Sequence, residues 1–326
     1  MIYNYRFISS DSRNGNLGQC IEYAGEPDFS TEGYTPNRSM YVQYIDADGN
    51  ESGLTIHATM KLYCEEVVLT AEDKLIVAGS FKGTSLLLNH TSIGYAGFSI
   101  AIDITTFNHQ SYIFDTNGDD RFYGLTASSF GEFIFAGKTD GNISNYTTST
   151  DALCGVNSTT CGVVVFLNQN FEYDYLQYIE SDDKVTCYDV EQKGGSNDFL
   201  VTGYFSGSMV FNGSQINPPI NRGTSDLFVS ILDSTKHWTG VNTVGSTGSF
   251  RPKDILHHQN EFFVLGEGIL DQTNPAIVTP SQDQYGHGFG DTDIVILYVG
   301  NDGIIKDIQP IGTEGKDGSG EIEFFS

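Results

Sequence analysis

The 326-residue chain has few basic residues and no long apolar segment. It contains 16 Lys and Arg residues against 42 Asp and Glu residues, so its formal net charge is −26. A field of that sign repels phosphate backbones and anionic lipid head groups, and we therefore expect no nucleic-acid partner. No apolar run approaches the ~20 residues of a membrane-spanning helix, so we also expect no membrane insertion. Cations and neutral glycans remain compatible with this charge.

Two further signals are missing from the sequence. The first residues, Met1-Ile-Tyr-Asn-Tyr-Arg-Phe7, lack the basic start and apolar stretch of a signal peptide. They resemble the middle of a strand, which predicts that the chain is a mature segment or a fragment of a longer protein. Gly-x-Ser-x-Gly, His-Glu-x-x-His and phosphate-loop motifs are absent too, so we predict no catalytic residue from motifs. Carboxylates from different parts of the fold could still meet and act on glycosides.

The sequence contains 37 glycines and 13 % aromatic residues. It also contains a repeat of about 60 residues. Its marker is an apolar strand that ends in glycine, and the copies start 58, 66 and 63 residues apart: Leu75-Ile-Val-Ala-Gly79, Phe133-Ile-Phe-Ala-Gly137, Phe199-Leu-Val-Thr-Gly203 and Phe262-Phe-Val-Leu-Gly266. Each marker is followed by a continuous apolar strand, a hairpin turn and a more polar strand. A long repeat of one four-stranded unit predicts an all-β fold, a β-propeller of about five blades in one domain.

The ends of the chain predict how the ring closes. Tyr5-Arg-Phe-Ile-Ser9 resembles a weak copy of the second strand, so the first blade would lack its first strand. Residues 321–326 resemble a surplus first strand, and we expect them to pair inside that blade. The predicted blades are then 1–60 with 320–326, 61–117, 118–182, 183–248 and 249–319. An open stretch of a larger propeller is the alternative.

One blade has a recognisable family pattern. Asn197-Asp-Phe-Leu-Val-Thr-Gly-Tyr-Phe-Ser-Gly-Ser208 is followed by Gly223-Thr-Ser-Asp-Leu-Phe-Val-Ser-Ile-Leu-Asp233, Trp238 and Gly245-Ser-Thr-Gly248. These segments resemble the SBBP-type β-propeller repeat of large extracellular proteins. The resemblance implies a propeller fold and a surface location, and it implies no chemistry.

Cysteines and glycosylation sequons indicate an oxidising, extracellular compartment. Cys154 and Cys161 flank a short polar loop and are predicted to form a disulfide, with two unpaired thiols as the alternative. Cys20 is predicted in a loop, and Cys64 and Cys187 near the starts of strands, with at least one of the five cysteines free or paired between chains. The seven candidate glycosylation sites are Asn37, Asn50, Asn89, Asn142, Asn145, Asn157 and Asn212. All but Asn50 fall in loops that join second to third strands, which share one face of a propeller.

Two acidic stretches have oxygen side chains at alternate positions, as calcium loops do: Asp46, Asp48 and Asn50, and Asp115, Asn117 and Asp119. Neither has the glycine and glutamate of the EF-hand pattern, and turn formation explains both. We therefore expect no cofactor, with calcium as the alternative.

Together these features favour a secreted, N-glycosylated propeller that is a structural or interaction module, such as a fibre subunit, with self-assembly or contacts to other extracellular proteins. The alternatives are a carbohydrate-binding propeller and a glycoside hydrolase or lyase. The central channel discriminates between them. A plugged apolar channel favours the structural module, whereas a cluster of carboxylates favours an enzyme.

Overall fold

The computed structural model describes residues 4–24, 38–116, 118–146, 154, 160–212, 224–245, 248–269, 276–279, 284–285, 292–312 and 317. Throughout this part of the chain the regular elements are β-strands, arranged in five antiparallel sheets. The protein is therefore an all-β propeller with five blades of four principal strands, as the repeat predicts. None of these residues belongs to a helix that could cross a membrane.

The strands follow one another blade by blade. The first blade contains β1 (Asn4–Arg13), β2 (Asn16–Ala24), β3 (Arg38–Ile45) and β4 (Glu51–Ala58). The second contains β5 (Lys61–Leu69), β6 (Lys74–Ser85), β7 (His90–Asp103) and β8 (His109–Phe114). The third contains β9 (Arg121–Ala127), β10 (Phe133–Thr139), β11 (Cys161–Leu167) and β12 (Tyr173–Ser181).

The last two blades also supply short strands to their neighbours. The fourth blade contains β13 (Lys184–Gln192), β14 (Phe199–Ser206), β16 (Asp226–Leu232) and β17 (Trp238–Gly245), and between β14 and β16 the short β15 (Met209–Phe211) pairs with β12 of the third blade. The fifth contains β18 (Phe250–His258), β19 (Glu261–Gly268), β22 (Asp293–Gly300) and β23 (Ile305–Ile311). Between β19 and β22, β20 (Ala276–Thr279) pairs with β17 of the fourth blade and with β21 (Gln284–Tyr285). These additions join consecutive blades at their outer strands.

The predicted strand assignment at the start of the first blade is wrong. Tyr5-Arg-Phe-Ile-Ser9 belongs to β1, the first strand, and β1 to β4 already complete a four-stranded sheet. The second strand is β2. Leu17 of β2 has the same place in the strand pairing as Leu75 of β6, which follows 58 residues later. Ile21 therefore lies at the position where the other blades have glycine. The marker is missing because Leu17-Gly-Gln-Cys-Ile21 is neither continuously apolar nor glycine-ended. The proposed pairing of residues 321–326 lies outside the described residues.

The repeated glycine has a steric cause. In every blade the first strand carries a β-bulge at the same height, and in four blades the glycine of the second strand lies opposite it. A Cβ on Gly137 would overlap the carbonyl oxygen of Arg121, and one on Gly203 would overlap that of Thr186. In these four blades the bulged strand approaches too closely for a side chain, which explains glycine at this position, whereas the first blade has Ile21 there.

The core lies between blades because most strands are covered on both faces. In β10, Phe133 and Phe135 pack towards the second blade, whereas Ile134 and Ala136 pack towards the fourth. Side chains of a strand alternate between faces, so a strand in the middle of such a stack needs an apolar residue at every position. This explains the continuous apolar runs of the repeat.

Two disulfides are present among the described residues. Cys154 and Cys161 are bonded, with their Cα atoms 5.6 Å apart, as predicted from their spacing. Cys20 and Cys64 are also bonded, with their Cα atoms 6.5 Å apart, and this bond joins β2 of the first blade to β5 of the second. The prediction that Cys20 lies in a loop is wrong, because it is a buried residue of β2. Cys187 is buried and free.

Candidate active site in the central cavity

The first strands of all five blades line one cavity of about 570 Å³. The lining comes from the second halves of β1, β5, β9, β13 and β18 and from the turns that follow β5 and β9. The cavity therefore opens on the face that carries the turns between first and second strands. Its charged lining residues are Asp11, Arg13, Glu66, Glu72, Asp189, Glu191 and Asp254.

The bulges arrange these side chains in layers. The residue directly after the bulge points to the centre of the propeller, the next points into a blade interface, and the third points to the centre again. The first layer contains Ser9, Glu66, Gly124, Asp189 and Asp254, and the second contains Asp11, Val68, Thr126, Glu191 and Leu256. Each first strand has one residue between its two layer positions. In four of the five blades this residue is apolar and buried. The repeat thus places five carboxylates in two adjacent layers.

Asp189 connects two blades at the bottom of this cluster. It is 5 % exposed, and its two carboxylate oxygens accept hydrogen bonds from the backbone N–H groups of Val190 and Ile255, each at 2.7 Å. Ile255 belongs to β18 of the next blade. Burial, together with the nearby charge of Asp254, raises the pKa of Asp189 well above its ordinary value. Because both of its oxygens are engaged by the backbone, Asp189 is suited to positioning rather than to proton transfer.

Glu191 lies one layer higher and reaches the cavity. Burial raises the pKa of its carboxyl group to about 7, and the charges of Asp254 and Asp11 act in the same direction. Thr126 of the third blade opposes the shift, since its Oγ1 donates a 3.0 Å hydrogen bond to Glu191 Oε2 and stabilises the charged form. A carboxyl group with a pKa near 7 can hold a proton at neutral pH and release it during a reaction.

Asp254 and Asp11 are the carboxylates that influence Glu191. Asp254 is partly exposed to the cavity, and its charge raises the pKa of both Asp189 and Glu191, so it lies close to both groups. Asp11 Oδ2 accepts a 2.7 Å hydrogen bond from the backbone N–H of Leu69 in the second blade. The arrangement brings together a carboxyl group of raised pKa and neighbouring carboxylates, which is the equipment for general acid–base chemistry.

Aromatic rings lie beneath the carboxylates. Tyr123 and Tyr188 occupy the bulge positions of β9 and β13, and their rings stack with centroids 5.2 Å apart and an interplanar angle of 6°. Burial raises the pKa of both hydroxyls. Among the described residues no aromatic side chain lines the cavity itself. The tyrosines therefore support the cavity from below.

The candidate calcium ligands are occupied by local hydrogen bonds. Asp46 Oδ1 accepts from the backbone N–H groups of Asp48 and Asn50, and Asp46 Oδ2 from Asn50 Nδ2, at 2.8 to 2.9 Å. Asp115 Oδ2 lies 2.8 Å from His90 Nε2, and Asp119 Oδ1 accepts from the backbone of Tyr95. Asn117 lies outside the described residues. Within those residues no group of three or more His, Cys, Asp or Glu side chains is arranged to hold a metal ion.

Four of the predicted glycosylation sites are exposed: Asn50, Asn89, Asn142 and Asn145. Asn212 is half-buried, and its Nδ2 donates to Gln177 Oε1 at 3.4 Å. Asn37 and Asn157 lie outside the described residues. Asn89, Asn142, Asn145 and Asn212 follow second strands, so they lie on the face opposite the cavity mouth, whereas Asn50 lies on the face of the mouth. Modification of these residues stays a prediction.

Comparisons with known proteins give a fold neighbour but no family. No protein-family model matches the chain, and no curated protein matches it in sequence. A solved structure with a similar fold is the GH43_1 enzyme from Xanthomonas citri, a glycoside hydrolase, at 10 % sequence identity and a TM-score of 0.37. The alignment covers 98 % of this chain and 94 % of that one. The resemblance to SBBP-type repeats stays a prediction.

The leading sequence-based interpretation, a structural or interaction module such as a fibre subunit, is wrong. That interpretation is favoured by a plugged apolar channel, and the channel instead holds a cavity lined by carboxylates from four of the five blades. The site could not be recognised in the sequence because its residues come from different repeats and share no motif.

Proposed function

We propose that the protein is a glycoside hydrolase that cleaves its substrate in the central cavity. The observation that carries this proposal is the carboxyl group of Glu191, whose pKa of about 7 is set by burial inside a cavity that Asp254 and Asp11 share. Glycosidases use a pair of carboxyl groups whose environments hold one protonated and the other charged. The cavity holds Glu191, whose pKa is raised, together with Asp254 and Asp11, and its volume lies within the range of small-ligand sites.

The roles follow from the environments of the two groups. Glu191 is the general acid: it donates its proton to the glycosidic oxygen as the bond from that oxygen to the anomeric carbon breaks. Asp254 is the second carboxylate, which acts on the anomeric centre as a base towards water or as a nucleophile. Thr126 orients Glu191 through its hydroxyl, and Asp189 fixes the spacing between β13 and β18.

The charge of the cavity selects the class of substrate. Six acidic residues line it, against the single basic residue Arg13, so an anionic sugar would be repelled from the site of cleavage. The substrate is therefore a neutral glycan, held by hydrogen bonds from its hydroxyl groups to the polar lining.

The compartment is proposed to be extracellular. Two disulfides require an oxidising environment during folding, and three exposed sequon asparagines lie on the face away from the cavity mouth. Glycans there would leave the route to the cavity open. Intact-mass measurement of the secreted protein before and after enzymatic deglycosylation checks this point, and an unchanged mass would contradict it.

A panel of neutral and acidic substrates tests the proposed activity. The protein is incubated with neutral polysaccharides and aryl glycosides of neutral sugars, and the released reducing ends or phenols are measured. We expect turnover of at least one neutral substrate and none of the corresponding uronides. Binding of neutral glycans without turnover would overturn the hydrolase in favour of a carbohydrate-binding propeller.

Phe130 is expected to contribute to substrate binding at the cavity mouth. It is 61 % exposed at the tip of the turn after β9, beside Ser128 and Ser129, which line the cavity. A sugar ring that stacks on it would bury apolar surface worth about 1 kcal/mol, so Phe130→Ala should raise KM about fivefold and leave kcat nearly unchanged. Leu86→Ala is the matched control, since Leu86 is 63 % exposed on the opposite face. Equal KM values for both variants would remove Phe130 from the site.

A further inference from the structure

Three cationic side chains surround one tyrosine at the end of the propeller opposite the cavity. The ring centroid of Tyr95 lies 3.9 Å from Arg121 Cζ, 5.7 Å from Lys82 Nζ and 6.0 Å from Lys61 Nζ. These residues belong to four strands of the second and third blades, β5, β6, β7 and β9. Lys61 begins β5, whose other end lines the cavity, and eight residue steps of a strand separate the two positions by about 25 Å.

None of the three cations is neutralised by a carboxylate of the described residues. Six salt bridges are found in that part of the chain, and Lys61, Lys82 and Arg121 take part in none of them. The neighbouring Asp119 instead accepts a hydrogen bond from the backbone N–H of Tyr95. The chain has 42 acidic residues to pair with 16 basic ones, so three like charges left together are unexpected. A bound anion would supply the counter-charge that these side chains lack.

The side chains around Tyr95 carry groups that can donate hydrogen bonds. The Tyr63 ring lies 6.0 Å from the Tyr95 ring, and Arg121 Cζ lies 6.0 Å from the Tyr63 centroid. Arg121 Nε is buried and has no hydrogen-bond partner among the described residues. Guanidinium, ammonium and phenol groups together provide charge-assisted hydrogen bonds to the oxygens of a carboxylate or a sulfate.

We propose that Lys61, Lys82 and Arg121, with the hydroxyl groups of Tyr63 and Tyr95, form a binding site for an oxyanion, either the carboxylate of a uronic acid or the sulfate of a sulfated sugar. The site is separate from the cavity and has the opposite charge preference. It would retain acidic glycans on one face while neutral glycans enter the cavity from the other.

Binding is tested by calorimetric titration of the intact protein at constant ionic strength with glucuronic acid, glucose 6-sulfate, sodium sulfate and glucose. We expect the anionic sugars to bind and glucose not to bind at this site, and the tighter of the two anionic sugars identifies the source of the oxyanion. Lys61→Gln with Lys82→Gln should weaken that binding at least tenfold. Lys74→Gln is the matched control, because Lys74 Nζ lies 5.8 Å from the single ring of Phe133 without other cations.

Two further measurements distinguish the oxyanion site from the proposed hydrolase activity. The double lysine variant should keep its melting temperature and its hydrolysis of neutral glycosides, and a cavity variant should keep its affinity for the anion. Anions that bind the double variant as tightly as the wild type would overturn the oxyanion site, whatever the outcome for hydrolysis. Anions that fail to bind the wild type would overturn it as well.

Discussion

Glu191→Gln is expected to lower kcat for glycoside hydrolysis by about two to four orders of magnitude, the usual contribution of a positioned general acid. Glutamine keeps the size of the side chain and can still accept the hydrogen bond from Thr126, but it has no proton of suitable acidity to give to the leaving group. Asp254→Asn should cause a loss of the same order, because it removes the second carboxylate. Steady-state kinetics on the best substrate of the panel measure both effects.

The control for these variants is Glu261→Gln. Glu261 begins β19 and is paired with Lys306 outside the cavity, with a 43 % exposed side chain. It should retain wild-type kinetics. All three variants should melt at or above the wild-type temperature, since each removes a charge from an acidic protein. A Glu191→Gln enzyme with more than half of the wild-type kcat would exclude Glu191 as the acid.

Removing the disulfide between the first two blades should cause the largest loss of stability among the cysteine variants. The Cys20–Cys64 bond closes a separation of 44 residues, whereas Cys154–Cys161 closes one of seven. The loop-entropy relation then gives about 4 kcal/mol for the first bond and about 2 kcal/mol for the second. Urea unfolding of Cys20→Ala/Cys64→Ala and of Cys154→Ala/Cys161→Ala should show this order.

Thiol titration of the denatured, unreduced protein provides an independent check of the pairing. With two bonds formed, the five cysteines leave Cys187 alone, so one thiol per chain is expected. Three or five thiols would contradict the two bonds. An equal loss of stability in the two double variants would contradict the entropic account of their difference.

The propeller could be predicted from the sequence because one local feature recurs. The repeated glycine within β6, β10, β14 and β19 lies opposite a bulge that leaves no room for a side chain, and the apolar runs are required by burial on both faces. The first blade shows the limit of that signal. Ile21 replaces the glycine there, so β2 has no marker, and the sequence of β1 resembles a second strand instead.

The cavity could not be predicted in the same way. Asp189-Val-Glu191 reads as an ordinary alternating strand, and Asp254 precedes apolar residues of another blade 65 positions after Asp189. What makes these groups a site is the bulge, which sets all first strands at the same height, and the burial that shifts the pKa of Glu191. Aligning the first strands on their bulges would have revealed the two layers, but a bulge leaves no fixed residue pattern in a sequence.

The pH dependence of kcat/KM in Thr126→Val tests the central claim most directly. If Glu191 is the general acid, wild-type activity falls as the pH rises through about 7, where this group loses its proton. Valine removes the hydroxyl that stabilises the charged carboxylate, so the pKa of Glu191 rises and the basic limb should move up by about one pH unit. Thr202→Val, at a buried threonine that donates to a backbone carbonyl, should leave the limb in place. A basic limb at the same pH in all three proteins would contradict the assignment of Glu191 and, with it, the proposed mechanism.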